Sequence, residues 1–343
     1  MSVAIARTTG DRRTLATVLM HRCWGLDGPS DVRDAFDVAT EIVDIGAELG
    51  QSKLALEGLR IRLAAQFEMG EHHAAAQTAE ALSELAQSVR HPEFIRLATM
   101  WSVTLASLEG RFAEAEELSA RLNGWLNRVG HPQAQLITLA QTFSWRWLQG
   151  RAGEFTPIFE ALSAAEPANL TWRAVNAWCL AEAGSLHRAA DIITRLTPAA
   201  AAAADFNYLW WGTFVGFADA VDLLQDRQWA EVLYNLAAPY AGTNCTLGVA
   251  SFFGAVDHWL GVLAAAVGRY AEAASHLEAA LERHRTMRSR PLAALTEFAY
   301  GKVLLLRGDA ADAARAREHT ESALRAADEL GLAAIKYRAQ HDR

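Results

Sequence analysis

The chain has 343 residues, 51% hydrophobic and 21% charged, with 23 Gly and 8 Pro, which supports a sizeable core and excludes collagen-like, low-complexity and wholly disordered classes. With 40 acidic against 32 basic side chains the net charge is −8, which argues against a surface built to follow nucleic-acid phosphates.

From the N-terminus, MSVAIARTTGDRRTL lacks the charged and apolar regions of a secretion signal, and no run of 18 uncharged apolar residues follows it anywhere. A soluble, cytoplasmic chain without a membrane partner is expected. Further on, one phrase recurs: Gly, a variable residue, an apolar residue, then a run rich in Ala and Glu. Its copies begin at Gly70 (GEHHAAAQTAEAL), Gly110 (GRFAEAEELS), Gly153 (GEFTPIFEAL), Gly184 (GSLHRAADII), Asp226 (DRQWAEVLYNL), Gly268 (GRYAEAASHLEAAL) and Gly308 (GDAADAARAR). The intervals are 40, 43, 31, 42, 42 and 40 residues, a period that marks a repeat architecture.

Each copy reads as a helical hairpin. Gly takes the left-handed conformation that ends one helix, and Ala and Glu then favour the next. Gly50, Pro92, Pro132 and Pro291 punctuate the chain between copies, Pro suiting the first turn of a helix. Leu136, Leu139, Phe143 and Trp147 follow one helical face, as do Leu277, Ala280, Leu281 and His284 with Glu278 and Glu282 turned outward. No alternating run predicts a strand. The prediction is an all-α, tetratricopeptide-like α-solenoid of about seven to eight helical hairpins, a single array over 1–343, because one hairpin cannot bury its own apolar face. It is irregular over 153–210, where an interval shortens, Pro157 enters an early second helix, and Ala199–Ala204 forms a helix start or a spacer.

The stretch from Tyr234 to His284, YNLAAPYAGTNCTLGVASFFGAVDHWLGVLAAAVGRYAEAASHLEAALERH, resembles a recurring segment of large actinobacterial regulators. These are predicted AAA or STAND-type ATPases fused to adenylate/guanylate cyclase modules or LuxR-type DNA-binding domains. The resemblance continues through RPLAALTEFAYGKVLLLRGD and ALRAADELGL, and more loosely through Ala35–Leu49, Gly110–Leu122 and Trp172–Ala189. It covers only their helical array. No GxxxxGK[ST] phosphate loop occurs, and the one Gly-Lys pair, Gly301-Lys302, is followed by Val303. No DNA-binding helix-turn-helix follows the last repeat. The resemblance therefore implies a sensor or interaction arm, whether a stand-alone product or an excised segment.

No HExxH, GxSxG, CxxC or GxGxxG appears, so no catalytic residue, metal or cofactor is expected. Cys23, Cys179 and Cys245 are too scattered for disulfides or zinc, the last two reading as small buried residues. His72 and His73 are adjacent and point to different faces. Asp219, Asp222 and Asp226 share a helical face, but with no answering acidic set they read as solvated; the basic run Arg283–Arg290 reads as a solvated turn. Tryptophans concentrate from Trp145 to Trp259, with Trp147, Trp178 and Trp229 expected in the core.

In tetratricopeptide-like arrays, by resemblance, the first helix of each pair lines the inner face. Those helices carry Gln135, Thr138, Thr142 and Arg146, then Arg173 and Asn176, then Asn207 and Trp211, and finally Phe252, Asp257, His258 and Trp259. Apolar walls with a few convergent polar groups suit a ligand groove. The expected function is a non-enzymatic module that recognises a protein, peptide or small effector there, as a monomer or a homodimer. The alternative is a stand-alone secondary-metabolism enzyme, a cyclase or lyase, with the Trp-rich groove as its active site.

Overall fold

A computed structural model describes residues 3–26, 28–195 and 209–341. Among these residues the fold is all-α but for one β-hairpin. The helices are α1 (Val3–Thr8), α2 (Arg12–Cys23), α3 (Val32–Glu48), α4 (Ser52–Glu68), α5 (His72–Ser88), α6 (Pro92–Leu108), α7 (Phe112–Arg128), α8 (Ala134–Arg146) and α9 (Thr156–Ala165). Then come α10 (Leu170–Glu182), α11 (Leu186–Thr194), α12 (Trp210–Leu224), α13 (Arg227–Ala237), α14 (Val256–Ala266), α15 (Tyr270–Thr286), α16 (Arg290–Arg307), α17 (Asp312–Leu330) and α18 (Ala333–His341). The hairpin pairs β1 (Asn244–Leu247) with β2 (Ser251–Ala255). Ala199–Ala204 and Asn207 lie outside the described residues.

The recurring phrase does form the corners. Gly70, Gly110 and Gly268 sit at φ of 79°, 80° and 88°, where a side chain would be strained. The next amide then reaches back five residues: Glu71 N–H to the Gln66 carbonyl at 2.8 Å, Arg111 to Ala106 at 2.8 Å, Arg269 to Ala264 at 2.9 Å. These bonds satisfy carbonyls that a helix end leaves open. Two corners shift from their sequence positions. Gly150 (φ 70°), not Gly153, is the left-handed residue of the fourth, and Gln225 (φ 54°) takes that place ahead of Asp226. Asp226 instead caps α13, accepting the Trp229 N–H at 3.1 Å. Pro157 falls in the first turn of the short α9, where its missing N–H costs nothing.

Most helices pack mainly on their sequence neighbours, whereas α10 and α12 pack most on each other across α11. On α15, Leu277, Ala280, Leu281 and His284 are buried while Glu278 and Glu282 face water, as their spacing predicts. Trp147, Trp178 and Trp229 are core residues. A small cluster of Leu15, Leu19, Ile42 and Ile45 joins the first helices, and one larger core runs through the rest.

The hairpin is the departure from a purely helical expectation. It touches α4, α6, α8, α12, α14 and α15, which surround it. Asn244, Cys245 and Thr246 and all of β2 are buried, so both faces of the strands pack inward. A strand buried on both sides shows no polar alternation and cannot be told by pattern from a buried helix. Its polar backbone is met by the helices: the Thr104 hydroxyl reaches the Val249 carbonyl at 2.8 Å, and the Asn244 amide donates to the Phe67 carbonyl at 2.7 Å. Phe252 packs on Phe67 and Phe253 on Trp178, with ring centres 5.1 and 5.8 Å apart.

The chain's C-terminal helix returns to its middle. Arg338 of α18 pairs with Glu182 of α10 (2.6 Å) and with Asp219 (2.5 Å) and Asp222 (3.2 Å) of α12. This corrects the solvated reading of the Asp219 face: Asp219 is wholly buried. Burial, with Glu182 and Asp222 beside it, pushes the Asp219 carboxyl well up, against the pull of Arg338. Among the described residues no helix is long and apolar enough to cross a membrane.

Candidate functional site

The last residue of α4 is Glu68, and the first turn of α12 carries Trp211. The two meet across 143 positions of sequence, the Trp211 indole N–H donating to Glu68 Oε1 at 2.8 Å. Trp211 is fixed there by edge-on rings, Tyr240 at 5.7 Å and Phe214 at 5.8 Å between centres. Beside this pair opens a cavity of about 370 Å³, bounded by α2, the segment leading to α3, α4, α12 and the hairpin turn. Leu26, Pro29, Val32, Ala35, Ile61 and Ala64 make its apolar wall, and Thr246 and Gly248 close it from the hairpin. Trp24, 72% exposed, stands at its mouth. The volume falls within the range of small-molecule sites, roughly 300–1,000 Å³.

Electrostatics single out Glu68. Burial pushes its carboxyl up to about 7, with hydrogen bonding from Trp211, and more weakly from Thr246, acting the other way. None of the ion pairs among the described residues includes it. The cavity's other ionisable groups are less available. Arg60 is engaged by Glu57 at 3.1 Å, and burial raises the Cys23 thiol, which suppresses the reactive thiolate.

Two smaller cavities, of about 40 and 10 Å³, hold no more than a water or two. The larger touches His258, Trp259, Asp222 and Arg338. Next to it runs a buried relay whose proton order follows from its donors. The Ala255 N–H donates to His284 Nε2 (2.9 Å), so Nδ1 holds the ring proton and donates to Thr296 Oγ1 (3.0 Å). The Thr296 hydroxyl then donates to His258 Nδ1 (3.0 Å). Burial pushes His284 down to about 3 and His258 well down, so both rings are neutral and hold the hairpin to α14, α15 and α16.

The groove residues read from sequence are dispersed. Trp211 lines the 370 Å³ cavity; His258 and Trp259 line the 40 Å³ one. Trp259 is buried, its indole donating to the Phe253 carbonyl at 2.8 Å, and Phe252 is part of the hairpin core. Asp257 accepts from the Gly242 N–H (2.7 Å) and His276 Nδ1 (2.8 Å), tying the hairpin's entry to α15. Gln135 is exposed, Thr138 and Thr142 are half-buried, and Arg146 pairs with Glu116 of α7 and with Gln149. Arg173 is half-buried and Asn176 buried within α10; Asn207 lies outside the described residues.

Sequence reading passed over Glu68. A signal for it exists: two residues before the left-handed corner, other copies carry Leu108, Leu148, Leu223, Ala266 and Leu306, whereas two carry Glu68 and Glu182. An acid in a slot that is otherwise apolar stands among apolar neighbours and gains from a partner. Glu182 has Arg338; Glu68 has an indole and a cavity. Compared with models of known families and with curated proteins, the chain matches none.

Proposed function

We propose that the chain is a tetratricopeptide-like helical-repeat module that binds a small effector in the cavity beside Glu68 and Trp211, without chemically changing it. The observation that carries this reading is a pocket of about 370 Å³ with apolar walls and one half-buried, hydrogen-bonded carboxylate. Binding is favoured over turnover because acid–base or covalent chemistry needs a second group, and Arg60 is paired while the Cys23 thiol is raised. If the chain serves as the sensor arm of a regulator like those it resembles, the ligand acts by preferring one of two arrangements of the N-terminal helices against α12.

The test is native mass spectrometry of the chain purified from cells, beside an Ala64→Phe variant whose new ring fills the cavity. A metabolite carried by the wild type and absent from the variant supports the reading. Equal carriage by both, or none by either after incubation with a metabolite extract, overturns it.

A further inference from the structure

The class of ligand follows from what surrounds Glu68, and this inference rests on the cavity reading above. Its Oε1 accepts from Trp211, and the Thr246 hydroxyl adds a weaker interaction. Among the described residues no cation pairs with it, although it is half-buried. Buried carboxylates are ordinarily paired, since an uncompensated charge in an apolar site is costly. Arg60, the one cation among the described residues that line the cavity, sits eight residues back along α4, about 12 Å at 1.5 Å per residue, and is held by Glu57. The remaining wall is aliphatic, with an exposed indole, Trp24, at the mouth.

We propose that the cavity takes an organic ammonium ion with a compact apolar body, its N–H groups bonding Glu68 and its hydrocarbon packing on Val32, Ile61 and Ala64. An ammonium supplies the positive charge that the carboxylate lacks, together with N–H donors for charge-assisted hydrogen bonds. A protonated amine entering the site also passes the exposed Trp24 indole, and an indole ring attracts cations over neutral molecules of equal size. An anionic ligand meets the Glu68 charge and is repelled.

Isothermal titration calorimetry with 2-phenylethylammonium and its neutral counterpart 2-phenylethanol tests this, on the wild type, Glu68→Gln and Ala64→Phe. The wild type is expected to bind the ammonium at least about tenfold more tightly than the alcohol, a difference of about 1.4 kcal/mol. Glu68→Gln is expected to abolish that preference while still binding the alcohol, and Ala64→Phe to lose both. Equal affinity for the two probes, or a preference that survives in Glu68→Gln, overturns the ammonium inference and leaves the cavity reading standing. Binding of neither probe to the wild type overturns the ammonium inference, and equal binding by Ala64→Phe overturns the cavity reading as well.

Discussion

Glu68 carries most of the account at the level of single residues, and its protonation makes a prediction that needs no ligand. Its carboxyl titrates at about 7 in the folded chain against an ordinary 4.5, so between these values the folded state keeps a proton that the unfolded chain has lost. Stability from this site is therefore fully present below about pH 4.5 and is lost as pH rises through 7. At about 1.4 kcal/mol per unit, the loss is on the order of 3 kcal/mol. Glu68→Gln removes that slope. Urea denaturation near pH 5 and near pH 8 is expected to show the wild type weakening relative to the variant by about 2–3 kcal/mol; parallel behaviour of the two would count against a buried, unpaired carboxyl. Replacing Trp211 with Phe deletes the donor that favours the charged form, so the Glu68 titration followed by carboxyl carbon NMR should move upward. A downward move would place the indole bond elsewhere. None of this was apparent from motifs, because a carboxylate whose partner is a tryptophan 143 residues away has no local signature.

Among the elements, the helices were legible and the hairpin was not. Left-handed corner residues recur near the repeat phrase, glycine at all but Gln225, so the spacing of the phrase locates the helix ends to within a few residues. The hairpin offers no such mark: buried on both faces, its Ser251–Ala255 strand runs without alternation straight into α14. Its anchoring can be probed at Thr104, whose hydroxyl meets the Val249 and Ala250 carbonyls at 2.8 and 3.1 Å. Thr104→Val keeps the shape and strands these carbonyls, an expected loss of about 1–3 kcal/mol in denaturation midpoint analysis. A neutral outcome would mean that water reaches the hairpin turn. The close crossing of α10 and α12 is a second element-level test. A Cβ added at Gly216 would lie 2.9 Å from the Ala174 carbonyl carbon and 3.1 Å from the Val175 nitrogen, both backbone atoms that cannot swing aside. Gly216→Ala is expected to cost several kcal/mol, on the order of 3 or more, because the helices must separate; a melting temperature equal to the wild type would contradict this packing.

For the whole molecule, the serial array is drawn together by contacts that skip many helices. Arg338 joins the last helix to α10 and α12, and its guanidinium is the only described counter-charge on Asp219 and Glu182. Removing it by Arg338→Met leaves three carboxyls facing one another, two of them buried, an expected loss of about 3–5 kcal/mol. The loss should be larger at high pH, where the freed carboxyls must ionise, than in mild acid, where they stay protonated and neutral. The same long-range closure explains why the predicted groove residues scatter. A repeat period does not say which buried elements pack between helices, and here β1 and β2 pack on six helices beside the Trp147–Trp178–Trp259 cluster. The opening that remains lies at one side, between α2–α4 and α12. Its use for binding can be read from the Trp211 indole N–H resonance in a ¹⁵N NMR spectrum, identified by its loss in Trp211→Phe, as 2-phenylethylammonium is added. A saturable shift of that resonance is expected, since the ligand competes for the carboxylate it bonds, with the buried Trp147 and Trp178 indoles unmoved. A Trp211 resonance that stays fixed to saturating probe while the protein demonstrably binds it would place the ligand outside this cavity.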